Sequence, residues 1–345
     1  MTMRDLSWAV VGTGVLVDVS IAPAIRALTG SHLAAVYSRS IDKAGAFADK
    51  HGATAAYADY AAMLADPEID IVYIASPNSM HPQQTLDALG HGKHVLVEKP
   101  MALTETDATT MVRAASMNGL KLGVGFHLRH KATARAGRDA IAAGRLGDVF
   151  YADMAIGAGK GLYPYDTWRA DPALAGGGSL LHQGTHAVDL AAFLFGQPII
   201  EVTALMDSAC AEDVFVGSCR LAGGALVNMA SHSRRAGTRA DWTVFGTDGW
   251  LNARGGTSPA PGDTVELHTG GEPEPLATSA LSAYAEEVAA FAEAVRGDRE
   301  PSGNGFDGLQ AVVVSEALYR SAKERHAVSV DTPATAVTDV AGDNR

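Results

Sequence analysis

Trp8-Ala9-Val10-Val11-Gly12-Thr13-Gly14 is the stretch that decides the fold. A short apolar run opens onto a glycine-x-glycine turn, and Ile21, Ala24, Ile25 and Leu28 then recur at helical spacing. In a strand–turn–helix setting the glycines permit a tight turn and close approach of backbone to a pyrophosphate, which sits at the helix N-terminus. Gly12, Thr13, Gly14, Val15 and Leu16 are therefore the expected contacts of a dinucleotide. The third fingerprint position is Val17, larger than the usual Gly or Ala, so a branched side chain must fit where helix meets strand.

The same alternation continues outward from this turn. Residues 32–37, 69–74, 94–97 and 120–125 read as buried strands. Residues 41–51, a segment marked by Leu86 and Leu89, and residues 102–117 read as helices. Strands alternating with helices of this length predict an α/β doubly wound parallel sheet over residues 1–126.

His94-Val95-Leu96-Val97 then delivers Glu98, Lys99 and Pro100 at the carboxyl end of its strand, the edge where open α/β sheets bind ligands. Pro100 biases Lys99 toward extended backbone and permits a cis peptide. An enclosed lysine amine loses hydration, its pKa falls, and it can exchange protons near neutrality. The plain alternative is a surface lysine closing a strand–loop corner.

Cofactor choice is set at the end of the second strand, where a carboxylate would bind a ribose 2′-hydroxyl and an arginine a 2′-phosphate. The chain has Ser38-Arg39-Ser40 there, with Lys43 one turn on and no carboxylate before Asp42. Two hydroxyls and two cations suit a phosphate, so NADP(H) is the expected preference, with NAD(H) admissible.

The second half reads as an α/β substrate domain over residues 127–331, followed by a flexible tail at 332–345. Strand-like stretches at 149–156, 199–204, 214–221, 225–230, 242–245 and 250–252 are mostly sequential and suit a large, mostly antiparallel sheet. Residues 157–165 have the glycine- and tyrosine-rich composition of an irregular loop, followed by Trp168-Arg169 and Gly176-Gly177-Gly178. The glycine run would let a helix N-terminus approach a ligand closely. That helix, residues 179–195, carries His182, His186 and Asp189 at spacings of four and three, on one face. His-x-x-x-His can bind zinc, but no glutamate accompanies it and no third ligand is evident, so no metal is expected.

Gly12-Thr13-Gly14, Ala75-Ser76-Pro77-Asn78 with His81, and Gly92 through Glu98-Lys99-Pro100 together resemble the Gfo/Idh/MocA oxidoreductases. The resemblance continues through Gly144-Arg145-Leu146-Gly147, Trp168-Arg169 and the glycine triplet to His186 and Asp189. Within that family the chain is most similar to the NADPH-linked branch of the 1,5-anhydro-D-fructose reductase type. The resemblance implies an N-terminal dinucleotide-binding domain followed by an α/β domain whose sheet mediates homodimers or homotetramers. It implies cofactor contacts at Ser76, Pro77, Asn78, His81, Glu98 and Lys99, and His186 as the catalytic acid/base or the group orienting the reacting hydroxyl beside Lys99. His182, Trp168, Arg169, Tyr163 and Tyr165 are the implied sugar contacts. His182 stands where family members usually carry aspartate, which removes a carboxylate from beside the reacting group. The implied activity is hydride transfer to or from a sugar, sugar derivative or polyol. Two relatives of the fold define the alternatives: glycoside cleavage through transient oxidation by NAD, and NAD(P) sensing by a non-catalytic regulator.

Composition bounds the partners. The 345 residues are 47% hydrophobic and 19% charged, ordinary for a soluble globular protein. With 27 basic against 39 acidic residues the net charge is −12, which argues against nucleic-acid and acidic-membrane partners. Cys210 and Cys219 form no disulfide framework. The N-terminus has no apolar signal-like region and no run approaches the ~20 apolar residues of a membrane span, so a cytoplasmic location is expected.

Overall fold

The computed structural model describes residues 5–157, 167–208, 211–233 and 240–331. The chain forms two units, Met1–Gly125 with Tyr284–Leu309, and Phe126–Ala283 with Gln310–Thr332. The tail expected at 332–345 lies outside the described residues.

In the first unit, β1 (Leu6–Val11), β2 (Ser31–Tyr37), β3 (Ala55–Tyr57), β4 (Ile71–Ile74), β5 (His94–Val97) and β6 (Leu122–Val124) form one sheet. Its order is β3-β2-β1-β4-β5-β6 and every pairing is parallel. The strands read as continuous apolar runs because helices cover both faces, and Trp8, Val10, Val36, Ile71 and Tyr73 are fully buried. Helix ends carry local signals. Ser40 accepts from the Lys43 amide at the start of Ile41–His51, and Gly52 closes that helix at φ 71°. Thr104 and Gly119 do the same for Glu105–Asn118; each such N-cap is worth about 1 kcal/mol.

Within the span 127–331 expected for the second domain, Tyr284–Leu309 packs with the first unit. The helix Ala283–Arg296 sends Val288, Phe291 and Ala292 into the core formed by Trp8, Val10, Ile25 and Tyr73. Phe291 meets Trp8 edge-on at 6.1 Å between ring centroids. Gly123 in β6 is what admits that ring, since a Cβ there would lie 2.7 Å from it. Burying one phenylalanine stabilises by ~1.5–3 kcal/mol, enough to bring a sequence-distant helix back to the first sheet.

In the second unit the strands are β7 (Val149–Gly157), β8 (Ile199–Met206), β9 (Val214–Leu221), β10 (Leu226–His232), β11 (Trp242–Gly246), β12 (Trp250–Arg254), β13 (Thr264–His268), β14 (Glu274–Thr278) and β15 (Val328–Ser329). They form a nine-stranded sheet in the order β14-β13-β12-β11-β7-β10-β9-β8-β15. All neighbours are antiparallel except β7 and β10. Alternate residues of β7, namely Ala152, Met154 and Ile156, are buried. Tyr151, on the other face, is half-buried and lies in register with Phe245 of β11, which is paired in turn with Trp250, and Trp250 with His268. Their rings form a ladder with centroid separations of 5.8, 5.8 and 3.8 Å. Cross-strand aromatic pairs of this kind fix register. Among the described residues no helix is long and apolar enough to cross a membrane.

Candidate active site

The carboxyl ends of β1, β2, β4 and β5 gather the first set of expected residues. Gly12 follows β1 with φ +104°, and a Cβ there would lie 3.0 Å from the Ala75 carbonyl oxygen after β4, so only glycine fits. At Gly14 a Cβ would meet nothing within 4 Å, and Val15 beside it is 75% exposed. Open backbone at the head of a helix is what a pyrophosphate needs, so Gly12 to Leu16 fit a dinucleotide. Val17 is buried where the helix widens into a π turn, Val17–Ile21, and this wide turn takes the branched side chain at the third fingerprint position.

Beyond β2, the Ser38 hydroxyl accepts from the Ser40 amide and the Ser40 hydroxyl accepts from the Lys43 amide, both at 3.4 Å. Arg39 and Lys43 are exposed and make no ion pair among the described residues. The two cations are thus presented by an ordered turn, with their charge uncommitted.

The loops after β4 and β5 are tied together by His81. Its ring is fully buried, with Nδ1 2.9 Å from the Pro100 carbonyl and Nε2 2.9 Å from the Ser76 carbonyl. Burial holds its pKa below the ordinary value against the pull of both carbonyls, and the nearby Lys99 charge adds to the lowering. The Lys99-Pro100 peptide is cis and Lys99 is half-buried. Glu98 is buried and accepts a 2.6 Å hydrogen bond from Tyr73, whose hydroxyl pKa is pushed up by burial and then by Glu98 and Glu287. His81 and Glu98 support the Lys99 loop from inside the unit, His81 through the Pro100 and Ser76 carbonyls and Glu98 through Tyr73. Ser76 also has an internal partner, Gln84 at 2.5 Å, and Asn78 is buried at the start of the following helical turn.

In the second unit Trp168, Arg169 and His182 come together. The Arg169 guanidinium lies 4.5 Å from the Trp168 ring centroid, and the His182 ring meets Trp168 edge-on at 6.2 Å. Tyr163 and Tyr165 lie outside the described residues. The helix expected at 179–195 is a π turn, Leu180–Gly184, followed by an α-helix, Thr185–Phe195. Such wide turns frequently mark functional positions. His182 sits in it half-exposed, while His186 is buried on the first turn of the α-helix.

Sequence reasoning passed over what surrounds His186. The His127 ring stands edge-on to it at 4.3 Å. Arg129 donates through Nε and Nη2 to the Asp189 carboxylate, with Nε at 3.1 Å, both side chains being buried. Lys131, with no exposure, pairs with Asp263 at 2.9 Å and donates to the Ala260 carbonyl at 3.0 Å. Gln183 is buried beside His182 with neither amide atom hydrogen-bonded among the described residues. The available signal was compositional: His127, Arg129, His130 and Lys131 put four ionisable groups in five residues, and all are buried.

The glycine triplet serves packing. A Cβ on Gly177 would lie 2.1 Å from the Tyr319 hydroxyl, and one on Gly178 would lie 2.1 Å from the Glu212 carbonyl oxygen. These glycines admit other chain segments, which corrects the expectation that they open a helix end to a ligand. No cluster of three or more His, Cys, Asp or Glu suited to a metal occurs among the described residues.

His130 sets an acid limit on stability. Burial, then the charges of Arg129 and Arg135, push its pKa down to about 3 from 6.5. Above 6.5 the ring is neutral folded or unfolded, and its protonation contributes no pH dependence. Below that, the unfolded chain binds a proton the folded chain refuses, so stability falls as pH drops from 6.5 toward 3. We expect the thermal midpoint to fall steadily over that window, and His130→Gln to flatten the fall; a midpoint constant from pH 7 to 4 would refute it.

Residues 6–126 match the oxidoreductase family with an NAD-binding Rossmann fold, and residues 138–330 match that family's C-terminal alpha/beta domain. The chain is 32% identical over 336 residues to 1,5-anhydro-D-fructose reductase of Ensifer adhaerens, covering 94% of this chain and 98% of that one. It is 30% identical to D-xylose 1-dehydrogenase (NADP(+)) 2 of Haloferax volcanii, covering 94% and 100%. Among solved structures it is similar to the aldose-aldose oxidoreductase of Caulobacter crescentus complexed with glycerol, with TM-score 0.87, 29% identity, and 95% and 100% coverage. With the NAD-binding domain and the C-terminal alpha/beta domain matched in order over residues 6–126 and 138–330, the chain belongs to the Gfo/Idh/MocA oxidoreductase family.

Proposed function

We propose that the protein is an NAD(P)-dependent oxidoreductase that moves a hydride to or from a sugar, sugar derivative or polyol, with NADP(H) preferred. The observation that carries this reading is Lys99, held at the β5 end by the buried His81 brace, on the sheet edge that also presents the open Gly14 turn. The relatives named above, a reductase of an anhydro sugar and an aldose dehydrogenase, support the substrate class.

Gly12 to Leu16 would hold the pyrophosphate, Ser76 to Asn78 the nicotinamide end, and Ser38, Arg39, Ser40 and Lys43 a 2′-phosphate. The nicotinamide supplies or accepts the hydride when bound. The protein manages one proton. As a carbonyl is reduced, negative charge develops on its oxygen; Lys99 and His186 stabilise it and one of them donates the proton. Trp168, Arg169 and His182 would receive the sugar, the ring of Trp168 against an apolar face and the polar groups on hydroxyls, with Tyr163 and Tyr165 as further contacts.

The decisive experiment is a screen at 340 nm, following NADPH loss with dicarbonyl sugars and NADP⁺ reduction with aldoses and inositols. Turnover in one of these classes is expected; none across the panel refutes the substrate class. With two cations on the phosphate, each worth about 1.5 kcal/mol, kcat/KM should favour NADPH over NADH by roughly a hundredfold. A strong NADH preference refutes the assignment of Arg39 and Lys43.

The sheet face bearing the Tyr151, Phe245, Trp250 and His268 ladder also carries exposed Val216 and Leu205, directly paired across β9 and β8. This face is proposed as the contact for a homodimer or homotetramer. Sedimentation velocity tests it: a species of single-chain mass at micromolar concentration would exclude it.

A further inference from the structure

The N-terminus of a helix leaves several backbone N–H groups without partners inside the helix. In the turn that leads into His182 and His186, three consecutive ones are taken by a single residue. The Gly178 amide donates to Glu212 Oε2 at 3.1 Å, the Ser179 amide to the Glu212 main-chain carbonyl at 2.7 Å, and the Leu180 amide to Glu212 Oε1 at 2.8 Å. Tyr319 donates to the same Oε1 at 3.0 Å. The clamp lies one hydrogen bond from the site, because the His182 amide donates to the Gly178 carbonyl at 3.0 Å.

Behind it, the Ser179 and Ser231 hydroxyls lie 2.9 Å apart, and Ser231 also donates to the Ser179 carbonyl at 3.1 Å, which ties the turn to β10. Glu212 is 1% exposed. Burial pushes its pKa up while the hydrogen bonds from Leu180, Tyr319 and Gly178 pull it down, and a carboxyl group buried at the positive end of a helix is tolerable because its oxygens are hydrogen-bonded. Gly177 and Gly178 are the matching half of the device, since a side chain at either would collide with Tyr319 or Glu212.

We propose that Glu212 is a positioning residue that fixes the axial and rotational setting of the turn presenting His182 and His186. The inference rests on the reading of His186 as the acid/base group. A turn held at three successive amides cannot slide or rotate without breaking at least two of them. Catalytic groups must be held within about 0.5 Å of their working position, and a 1 Å error costs ~10²-fold in rate. A cap that served stability alone would leave the imidazoles where they are once the protein is folded.

The test uses Glu212→Gln, which keeps the side-chain shape but turns an NH₂ toward one backbone donor, and Tyr319→Phe, which removes one donor and leaves the fold intact. Histidine-labelled protein gives imidazole resonances for His182 and His186, and kcat is measured beside NADPH affinity. In Glu212→Gln both resonances should shift or broaden while that of His81 stays fixed, and kcat should fall ~10-fold with NADPH affinity unchanged. Tyr319→Phe should lower kcat ~3-fold, the loss of one hydrogen bond. Unmoved His182 and His186 resonances in folded Glu212→Gln overturn the proposal whatever kcat does. Moved resonances in a protein whose wild type turns over no sugar would instead reject the substrate reading and leave the clamp standing.

Discussion

Lys99→Ala is expected to lower kcat by ~10²-fold or more while NADPH binding stays near the wild-type level, and His186→Ala to do the same. The expectation follows from how each group is held. Lys99 extends from the β5 corner, which the His81 ring fixes through the Pro100 and Ser76 carbonyls. Truncation should remove the amine while the His81 brace keeps the corner in place. His186 is buried against His127 on a turn held by Glu212, so its imidazole is set before substrate arrives. A loss made only in the transition state lowers kcat and kcat/KM together, whereas lost cofactor binding would raise the NADPH KM with kcat intact. Lys99→Arg should not restore the rate, since a guanidinium stays charged and cannot trade the proton. Near-full activity of both alanine variants on a substrate found in the screen would remove Lys99 and His186 from the chemistry.

The parts of the molecule legible in the sequence are those set by contacts near in sequence. The runs at Trp8–Val11 and Val95–Val97 are apolar because both faces are covered, and Gly12 is glycine because the next loop's carbonyl is 3.0 Å from where its Cβ would be. These signals carry their meaning locally, so the parallel, helix-covered character of the first sheet could be read in advance. The same local reasoning fails where a partner lies far along the chain. Nothing around residue 212 announces that its carboxylate caps a turn 32 residues earlier. The helix Ala283–Arg296 shows an apolar stripe, yet a stripe does not say which sheet it will cover; Phe291 and the small Gly123 opposite it decide that. His81 and Glu98 were readable as residues near the site, but their inward hydrogen bonds, and hence their supporting role, belong to the packed structure.

Asp189→Ala should be the most damaging single substitution for the fold of the second unit. Arg129 and Asp189 are 6% and 2% exposed, and the guanidinium donates from two nitrogens to the carboxylate. The cation also lies over Phe126 and Phe193, at 5.7 and 5.2 Å from the ring centroids, so its surroundings offer aromatic faces in place of water. Removing the carboxylate takes a two-nitrogen partner from a buried charge that, unlike lysine, cannot escape by losing its proton. Breaking such a pair costs ~3–5 kcal/mol. At ~2–4 °C per kcal/mol for a unit of this size, the thermal midpoint should drop by about 10 °C. Two further variants separate the charge effect from lost packing. Asp189→Asn keeps the shape and one acceptor oxygen and should lose less. The double variant Arg129→Met with Asp189→Leu removes both charges together and should recover much of the loss, because apolar replacements of a buried pair are often neutral or better. A drop below about 1 kcal/mol in Asp189→Ala would mean that water reaches Arg129 and that the pair is not sealed. Asp189 stands three residues after His186 on the same helix, so the pair also anchors that imidazole against the turn bearing His127. Stability lost at Asp189 should therefore be accompanied by a fall in kcat even at temperatures where the variant remains folded.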